Sequence, residues 1–525
     1  YSPVQRRTFL KNTLLTTLAA PGLPRVLGER LAATEASLTV FPARELGRID
    51  KKVYGHFLEH IEDIVYGGIF DPAAKAADKI GIRQDVVRAI QDMGGAHVMR
   101  WPGGNFVSGY HWEDAIGPRA KRPRRLDLAF NQYESNHFGT DEYLELCRQL
   151  GCEPFITANM GSGTVEEACR WVEYCRRPDE RGKKRQPAVQ IWGLGNEHFG
   201  PWQLGAYTAA EYAHKAKQYA RFMRVVEPDL KFVGVGYNRA APDDENWNQT
   251  VLKQSGDLYD WLSIHLYAHR SHLDGKDDFD TTVAMPAFFE DEIRTMVGHI
   301  EEYEKNARRK EPLKICLEEW NTRHFQQGKI LRRNPRNLTD ALFVAGVYNV
   351  CHRQAARVGM GNYIYLLNAH APITVHGDKV VKSATFDVFR LYATVSQPVS
   401  VQAAVKSEPF TVGTKGVAAG QPGQAETVTT SRLDVSATRS DDGKRMTVFL
   451  TNLHPAQALS VRLNVEGRQL APGGTLHRLH HADRLAVNTP ERPDLIRSKT
   501  EKLTAAPDRL ELPPHSLTVL EVGLV

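Results

Sequence analysis

The chain has 525 residues, of which 42% are hydrophobic and 25% are charged. This composition is typical of a soluble folded protein and excludes a disordered or membrane-embedded chain. A formal net charge of +5 is too small for this length to indicate nucleic acid or a membrane surface as the partner.

The first 36 residues indicate an export signal rather than a part of the fold. The pair Arg6-Arg7 is followed by Phe9 and by a modestly apolar stretch at 14–20, which resembles a twin-arginine signal. A basic surface segment is the alternative. We therefore expect export in the folded state, to the periplasm or the extracellular medium. No other stretch reaches the ~18 consecutive apolar residues that a transmembrane helix needs.

The six cysteines do not predict a disulfide framework or a zinc site. Because twin-arginine substrates fold in the reducing cytosol before export, the thiols need not pair. Their spacing lacks the Cys-x-x-Cys pairs of a structural zinc site. We therefore expect buried thiols, and we expect neither a metal nor a cofactor. The cysteines are Cys147, Cys152, Cys169, Cys175, Cys316 and Cys351.

Short runs rich in β-forming residues alternate with helical patterns between residues 50 and 390, which is typical of βαβ units with a parallel sheet. In one helical pattern Tyr212, Ala216 and Tyr219 share a face, and Thr208 with Glu211 fits a capping box at its start. Eight alternations over about 340 residues favour a closed (β/α)₈ barrel over an open doubly wound sheet. The runs are 53–57, 96–100, 154–159, 189–193, 231–236, 262–266, 314–318 and 362–367.

After about residue 390 short alternating strands replace the helical pattern, which predicts an all-β sandwich. An early strand pattern near residue 40 is expected to pair into this sandwich, and a stretch rich in Gly and Ala at 413–424 is interpreted as one of its surface loops. The predicted division is an export signal and linker (1–36), an N-terminal strand (37–49), a catalytic barrel (50–390) and a β-sandwich (391–525).

Candidate catalytic residues follow the runs, because the active site of a barrel enzyme lies at the carboxyl ends of its strands. Glu197 follows the fourth run and Glu319 the seventh, so closure of the barrel brings two carboxylates to one mouth. Glycosidic hydrolysis needs such a pair, one to protonate the leaving oxygen and one to attack the anomeric carbon or activate water. Since alternate side chains of a strand face opposite sides, only one of Glu318 and Glu319 is expected to face the mouth.

An ordered set of motifs makes the interpretation more specific. The motifs are Tyr54-Gly55-His56-Phe57-Leu58-Glu59-His60, the stretch from Arg100 through Trp112-Glu113-Asp114 to Gly117-Pro118, Arg122-Pro123-Arg124-Arg125-Leu126-Asp127, Trp192-Gly193-Leu194-Gly195-Asn196-Glu197 and Glu319-Trp320-Asn321. With them the sequence resembles glycoside hydrolase family 51 over most of residues 40–390. The resemblance implies a retaining, exo-acting α-L-arabinofuranosidase that releases terminal arabinofuranosyl residues from arabinose-containing plant saccharides.

The resemblance also implies individual roles. Glu197 is expected to be the general acid/base, and Glu319 the nucleophile, because the family's nucleophile directly precedes Trp-Asn. Arg100 and Tyr267 are expected to hold Glu319 and keep it ionised, since an arginine beside a carboxylate favours the charged form. The other expected sugar contacts are Glu59, Asn105 and Asn196 on the hydroxyls, and His265 and Trp112 along the pocket.

One position departs from the family pattern, at the end of the eighth run. Where the family has a Gln that donates to the bound furanose, this chain has Tyr365, so a phenol replaces an amide. Either its hydroxyl substitutes for the amide without a change in specificity, or its ring reshapes the pocket. The second alternative predicts a preference for another furanose or for an unusual arabinoside.

Other functions stay open at this point. The same scaffold could act as a β-D-galactofuranosidase, β-xylosidase or endoglucanase, because pocket chemistry rather than fold decides specificity. A non-catalytic sugar-binding barrel would keep the pocket without turnover. His56-x-x-Glu59-His60 matches an inverted zinc-peptidase motif, but that motif must lie on a helix and here it follows a β-like run. The oligomeric state is also open, with a homo-oligomer among the alternatives.

Overall fold

A computed structural model describes residues 34–178, 186–238, 246–414 and 427–525. The Arg6-Arg7 motif of the expected export signal lies outside the described residues, as does most of the predicted loop at 413–424. Residues 34–36, which we assigned to the export segment, form the start of a strand. Among the described helices, none combines the length and the apolar composition required to cross a membrane.

The described residues form strands β1–β24 and helices α1–α8, numbered in chain order. Through the barrel region they are β1 (Thr34–Arg48), β2 (Gly55–Phe57), α1 (Gln84–Asp92), β3 (Val98–Trp101), β4 (Arg125–Asp127), β5 (Gln132–Glu134), α2 (Thr140–Leu150), β6 (Glu153–Ala158), α3 (Val165–Arg176), β7 (Ile191–Leu194), α4 (Ala209–Val226), β8 (Lys231–Gly234), α5 (Trp247–Ser255), β9 (Trp261–Arg270), α6 (Phe279–Glu304), β10 (Lys314–Gln326), β11 (Lys329–Ile330), α7 (Leu338–Arg353), β12 (Val358–Tyr363), β13 (Ile373–His376), β14 (Lys379–Lys382) and α8 (Phe386–Val395). The remaining strands are β15 (Val399–Lys406), β16 (Pro409–Gly413), β17 (Thr427–Ser431), β18 (Leu433–Arg439), β19 (Arg445–Asn452), β20 (Leu459–Val465), β21 (Gly474–Leu479), β22 (Lys499–Leu503), β23 (Arg509–Leu512) and β24 (Ser516–Gly523).

Eight parallel strands close into a barrel. In order they are β2, β3, β6, β7, β8, β9, β10 and β12, and β12 returns to pair with β2 through Asn362 opposite Gly55. A helix follows each of these strands before the next one begins. The predicted (β/α)₈ barrel is therefore confirmed.

The eighth barrel strand lies four residues earlier than predicted, because β12 covers Val358–Tyr363 and not 362–367. Its glycines conceal it in the sequence, since glycine weakens a strand pattern. They are needed for close approach: a Cβ on Gly361 would lie 2.8 Å from the carbonyl oxygen of Val53. Tyr365 consequently lies beyond the strand, in the loop at the barrel mouth.

Helix α4 shows how local sequence determines an element. Thr208 accepts a hydrogen bond from the amide of Glu211, whose side chain accepts one from the amide of Thr208, and the helix ends at Val226, two residues before Pro228. The predicted face, with Tyr212, Ala216 and Tyr219, is buried. Helices α3 and α7 begin in a similar way, at Thr164 and Asn337, whose side chains each accept a hydrogen bond from a backbone amide of the first turn.

The barrel interior is filled below its mouth. One side chain from each of seven barrel strands contributes to a buried cluster there, which separates the mouth from the opposite end. The catalytic candidates follow these residues on the same strands, so they lie nearer the carboxyl ends. The cluster consists of Val98, Phe155, Ile191, Val233, Trp261, Cys316 and Met360.

The C-terminal domain is one nine-stranded sheet in the order β22-β21-β24-β19-β18-β15-β1-β20-β23. Strand β1 lies in it, antiparallel to β15 and parallel to β20. The sheet curls so that β23 also contacts β24, and it encloses an apolar core that includes Leu38, Val448 and Leu520. All six cysteines lie in the described ranges and are free, five of them buried and Cys169 partly exposed.

Candidate active site

The barrel mouth contains a cavity of about 430 Å³. Its walls come from the loops after the barrel strands and from the long strands β9 and β10, which continue above the rim. The lining residues are Asn105, Glu197, Phe199, Trp202, Tyr237, Asn238, His265, Tyr267, His269, Asn321, Arg323, Ile330, Arg332, Ile364, Tyr365 and His370.

The pairing of β9 with β10 explains how one wall carries so much chemistry. Glu319 lies opposite His265, Asn321 opposite Tyr267, and Arg323 opposite His269. Because alternate residues of a strand face the same side, these three pairs rise as a ladder from the interior to the rim.

Glu318 corrects the expectation that only one of the two adjacent glutamates enters the site. Leu317 pairs with Ile264 and Glu319 with His265, so Glu318 is an extra residue in a β-bulge. The bulge turns both carboxylates inward. Glu318 lies 2.9 Å from Arg100 Nε and 3.2 Å from His265 Nε2, and it is 1% exposed.

Glu319 is held by two donors. Arg100 Nη1 donates to Oε1 at 2.7 Å, and the Tyr267 hydroxyl donates to Oε2 at 2.5 Å. Arg100 is fully buried and also donates to Asn196 Oδ1 at 2.8 Å. Charge-assisted hydrogen bonds to both oxygens fix the direction of the Glu319 carboxylate.

Glu197 lies at the other side of the mouth, after β7. His265 Nδ1 lies 2.8 Å from its Oε1, and Trp202 Nε1 donates to its Oε2 at 2.6 Å. Burial opposes ionisation of Glu197, but the hydrogen bond and charge of His265 outweigh burial and lower the pKa of Glu197 to about 2. Its backbone adopts the left-handed conformation, with φ of 36°, which is uncommon outside glycine and typical of functional sites.

His265 joins the carboxylates. Burial opposes its charge, yet Glu319, Glu197 and Glu318 together raise the pKa of His265 to about 10. One ligand-type atom from each of Glu197, His265 and Glu319 lies within 4.8 Å of the other two. Such a set has the composition of a metal site, but a protonated imidazole has no lone pair for a metal. The arrangement fits a pair of carboxylates that share one substrate.

Glu59 lies at the deep end of the site. The amide of Gly104 donates to Oε1 at 2.8 Å, and the Tyr365 hydroxyl donates to Oε2 at 2.8 Å. Burial and the neighbouring Glu319 raise the pKa of Glu59, while the bond from Tyr365 opposes that rise, and the result is about 7. Glu59 is 2% exposed.

Gly104 allows the acidic and amide side chains to approach one another. A Cβ there would lie 2.9 Å from Glu319 Oε1, 3.4 Å from Glu59 Oε1 and 3.5 Å from Asn196 Nδ2. The Oδ1 atom of Asn105, in the cavity wall, has no hydrogen-bond partner among the described residues. These groups offer donors and acceptors for sugar hydroxyls.

Trp112 does not join the site, in contrast to the expectation from sequence. It is 3% exposed, its ring stacks on Trp171 at 5.8 Å, and its indole N–H donates to the carbonyl of Glu167 at 3.2 Å. An aromatic residue in a motif can also pack in the core, and Trp112 packs there against Trp171 and Glu167 of helix α3.

Sequence reasoning missed several residues of the cavity or its support, among them Trp202, Gln203, Arg323 and His370. Trp202 follows Glu197 by five residues and could have been suspected for that proximity. Gln203 accepts from Asn196 Nδ2 at 3.0 Å, which fixes the amide. Arg323 and His370 line the cavity, but no motif singles them out, because long strands and loops place them there.

The inverted zinc-peptidase motif is not assembled. His56 lies in strand β2 and packs against Tyr363 and Phe389. His60 follows the strand, lies 3.0 Å from Glu134 and accepts from the Trp101 indole at 3.0 Å. The two histidines thus have different partners and do not lie on one face of a helix, as the zinc-peptidase motif requires.

Comparison with known proteins adds independent information. Residues 89–306 match the family described as α-L-arabinofuranosidase 1 domain, and residues 318–516 match the α-L-arabinofuranosidase C-terminal domain. The chain is 33% identical to α-L-arabinofuranosidase C of Emericella nidulans, over 83% of this chain and 88% of that protein. It is 29% identical to an intracellular exo-α-(1→5)-L-arabinofuranosidase of Halalkalibacterium halodurans, over 82% and 87% of the two chains.

Solved structures show the same relationship. The α-L-arabinofuranosidase of Thermotoga maritima, solved as an arabinose complex, is 34% identical with a TM-score of 0.82, covering 93% of this chain and 100% of that one. A thermostable family 51 α-L-arabinofuranosidase of Thermotoga petrophila is 34% identical with a TM-score of 0.83, again over 93% and 100%.

Proposed function

The chain belongs to glycoside hydrolase family 51, the α-L-arabinofuranosidases, and from this premise we propose that it removes terminal α-L-arabinofuranosyl residues with Glu319 as nucleophile and Glu197 as acid/base. The observation that carries this proposal is the carboxylate pair, whose oxygens approach within 4.8 Å across the mouth. Retaining glycosidases place their carboxyl groups about 5–5.5 Å apart, whereas inverting ones leave room for a water molecule.

The geometry supports a double displacement. Glu319 attacks the anomeric carbon while the bond to the leaving oxygen breaks and Glu197 gives that oxygen a proton. The Glu197 carboxylate then takes a proton from water, whose oxygen attacks the same carbon and releases Glu319 from the ester. Arg100 and Tyr267 keep Glu319 directed toward the sugar during both steps.

The acid needs a proton, which the pair Glu197–His265 supplies. The two groups are joined by the 2.8 Å hydrogen bond between His265 Nδ1 and Glu197 Oε1. Without substrate the proton resides on the imidazole, in keeping with the lowered pKa of Glu197 and the raised pKa of His265. As the leaving oxygen gains charge, transfer through Glu197 delivers the proton to it.

An exo mode of action fits the shape of the site. The cavity is closed below by the packed barrel interior, which gives a single terminal sugar a deep end to occupy. Glu59, Asn105 and Asn196 surround the deep end and would bind the hydroxyls of one terminal sugar. The leaving group then occupies the mouth, beside Glu197 and Trp202.

A second specificity is favoured by one observation. The Tyr365 hydroxyl donates its hydrogen to Glu59, so toward a sugar it can only accept, while its ring stacks on Phe57 and forms a wall. The altered wall makes hydrolysis of a second furanoside, such as a β-D-galactofuranoside, the candidate to test beside the arabinofuranoside.

Aryl α-L-arabinofuranoside, β-D-galactofuranoside, β-D-xyloside and β-glucoside substrates distinguish these functions. We expect the arabinofuranoside to have the highest kcat/KM and NMR of the first product to show retained configuration. Inversion would contradict the roles of Glu197 and Glu319. A higher kcat/KM on another glycoside would contradict the arabinofuranosidase specificity.

Export is a separate proposal. Its support is the Arg6-Arg7 motif with the apolar stretch that follows it. The Halalkalibacterium relative is named as an intracellular enzyme. The export of this chain therefore has to be tested on the chain itself. Changing Arg6→Lys and Arg7→Lys together should retain the enzyme in the cytoplasm. Unchanged export would show that the pair is not recognised.

A further inference from the structure

The outer half of the cavity has a chemistry of its own. The charged side chains of this outer half are those of Arg323 and Arg332. Among the described residues that line the whole cavity, Glu197 is the only one with a carboxylate. Since the proposed sugar site occupies the deep end, these cations face the position of the leaving group.

Arg323 is built into the wall rather than left on the surface. Its guanidinium lies over the ring of Tyr267, 3.4 Å from the centroid, and its strand position faces His269. No carboxylate of the described residues forms an ion pair with it. Its guanidinium interacts with Tyr267 and with the charge of Glu197, and its planar edge suits recognition of a planar carboxylate.

Arg332 is the second cation. Its nearest acidic partner in the described part of the chain, Glu62, is 3.7 Å away, and its side chain is 34% exposed. Its carbonyl oxygen accepts the amide of His370 at 2.8 Å, so its backbone is fixed to the same wall. The long ion pair leaves the guanidinium able to take another partner.

His370 adds a directed donor. Arg336, which has only donors, lies against its Nδ1, so Nδ1 accepts and the neutral ring carries its hydrogen on Nε2. Burial, together with the charge of Arg336, lowers the pKa of His370 well below its usual range, so the ring is neutral. Nε2 has no partner among the described residues, although His370 is 4% exposed and lines the cavity. A buried N–H without a partner is costly unless a ligand satisfies it.

We propose that Arg323, Arg332 and the Nε2–H of His370 form a leaving-group subsite for a carboxylate, so that the preferred substrates carry arabinofuranose on an acidic aglycone. The carboxylate belongs to a uronic acid unit or to an aromatic acid that is joined to the saccharide through its hydroxyl, so that its carboxyl group stays free. This inference rests on the proposed function, because it names the substrate class of that active site.

The test compares two substrates that differ in charge and little in shape, 4-carboxyphenyl and 4-carbamoylphenyl α-L-arabinofuranoside. We expect the ratio of their kcat/KM values to favour the carboxylate by about 10-fold, which is typical of a charge-assisted hydrogen bond in a partly exposed site. In Arg323→Met and Arg332→Met the ratio should fall to about 1. Using the ratio cancels any effect of Arg323 on Glu197, which both substrates share.

Arg333→Met is the matched control. It removes the same charge from the neighbouring position, but Arg333 pairs with Asp63 and does not line this cavity. Its ratio should equal that of the wild type. An equal loss in Arg333→Met would overturn the subsite, and so would a wild-type ratio at or below 1 that is accompanied by no preference in the second pair of substrates.

A second pair of substrates identifies the source of the carboxylate. Arabinofuranosyl oligosaccharides with and without a uronic acid next to the arabinose are compared in the same way. A preference in this pair assigns a uronic acid, and a preference in the aryl pair alone assigns an aromatic acid. No preference in either pair refutes the inference while the enzyme still hydrolyses neutral arabinofuranosides, whereas no hydrolysis of any arabinofuranoside refutes the proposed function instead.

Discussion

Tyr365→Phe tests how the departure from the family pattern acts. The change removes the hydroxyl that donates to Glu59 Oε2 at 2.8 Å and leaves the ring in place. A hydrogen bond to a charged group contributes about 1.5–3 kcal/mol, and a pKa change of 1 corresponds to about 1.4 kcal/mol. Because the amides of Gly104 and Phe106 still donate to Oε1, we expect the lower part of this range, so the pKa of Glu59 rises from about 7 by about 1.

The direction of the pH effect follows from the charge on Glu59. The ionised carboxylate accepts sugar hydroxyls and exists above its pKa, so activity falls as the pH drops through about 7 in the wild type. In Tyr365→Phe this acidic limb should move to higher pH by about 1, with roughly a tenfold loss of kcat/KM at pH 6 and nearly full recovery at pH 9.

The assay is kcat/KM for an aryl α-L-arabinofuranoside between pH 5 and 10, which reports groups of the free enzyme. Tyr363→Phe is the control, since its hydroxyl donates to the carbonyl of His370 and not to Glu59. The control should keep the wild-type limb. Identical limbs in Tyr365→Phe and the wild type would show that Glu59 does not titrate in this range or that its charge does not matter for binding.

Two further predictions concern the acid and the nucleophile. Glu319→Ala should abolish turnover of every arabinofuranoside. Glu197→Ala should still hydrolyse aryl substrates whose leaving group needs little protonation. Equal losses of activity in the two variants on such activated substrates would contradict these roles. Trp202→Phe removes a 2.6 Å bond that helps to lower the pKa of Glu197, so the basic limb of kcat should move to higher pH, by a small amount because Trp202 is 48% exposed. A basic limb that moves to lower pH would show that this bond stabilises the protonated acid.

The barrel could be predicted from the sequence because each βα unit carries its own signal. The apolar runs before α4 and α6 coincide with β7 and with the first half of β9, and Thr208, Glu211 and Pro228 mark the ends of α4 without any tertiary information. The eighth strand could not be placed correctly, because Gly359 and Gly361 serve close contacts that depend on the assembled barrel. Curling of the C-terminal sheet is likewise a product of long-range pairing.

The residues of the site likewise fall into those that the local sequence predicts and those that depend on long-range strand pairing. Glu197 and Glu319 follow predictable strands, so their meeting at the mouth could be foreseen. Glu318 could not be, because the bulge that turns it inward is a property of pairing with β9. Arg323 belongs to an extension of β10 above the rim, and the length of that strand depends on its partner rather than on a local pattern.

Trp112→Phe tests the placement of Trp112, which the structure puts outside the sugar pocket. In the structure this residue supports α3: its ring lies nearly parallel to that of Trp171, at 5°, and its N–H satisfies the carbonyl of Glu167. Losing that donor and part of the ring should destabilise the fold by about 2 kcal/mol, which lowers Tm by a few degrees, while KM for an aryl arabinofuranoside stays near wild type.

Tyr267→Phe should show the opposite pattern, because its hydroxyl contacts Glu319 and its ring keeps most of its packing. We expect a lower kcat with little change in Tm. Calorimetry and steady-state kinetics on both variants separate a core residue from a site residue. A raised KM in Trp112→Phe at unchanged Tm would restore Trp112 to the sugar pocket, since a tryptophan that only packs against α3 cannot alter substrate affinity without first weakening the helix it supports.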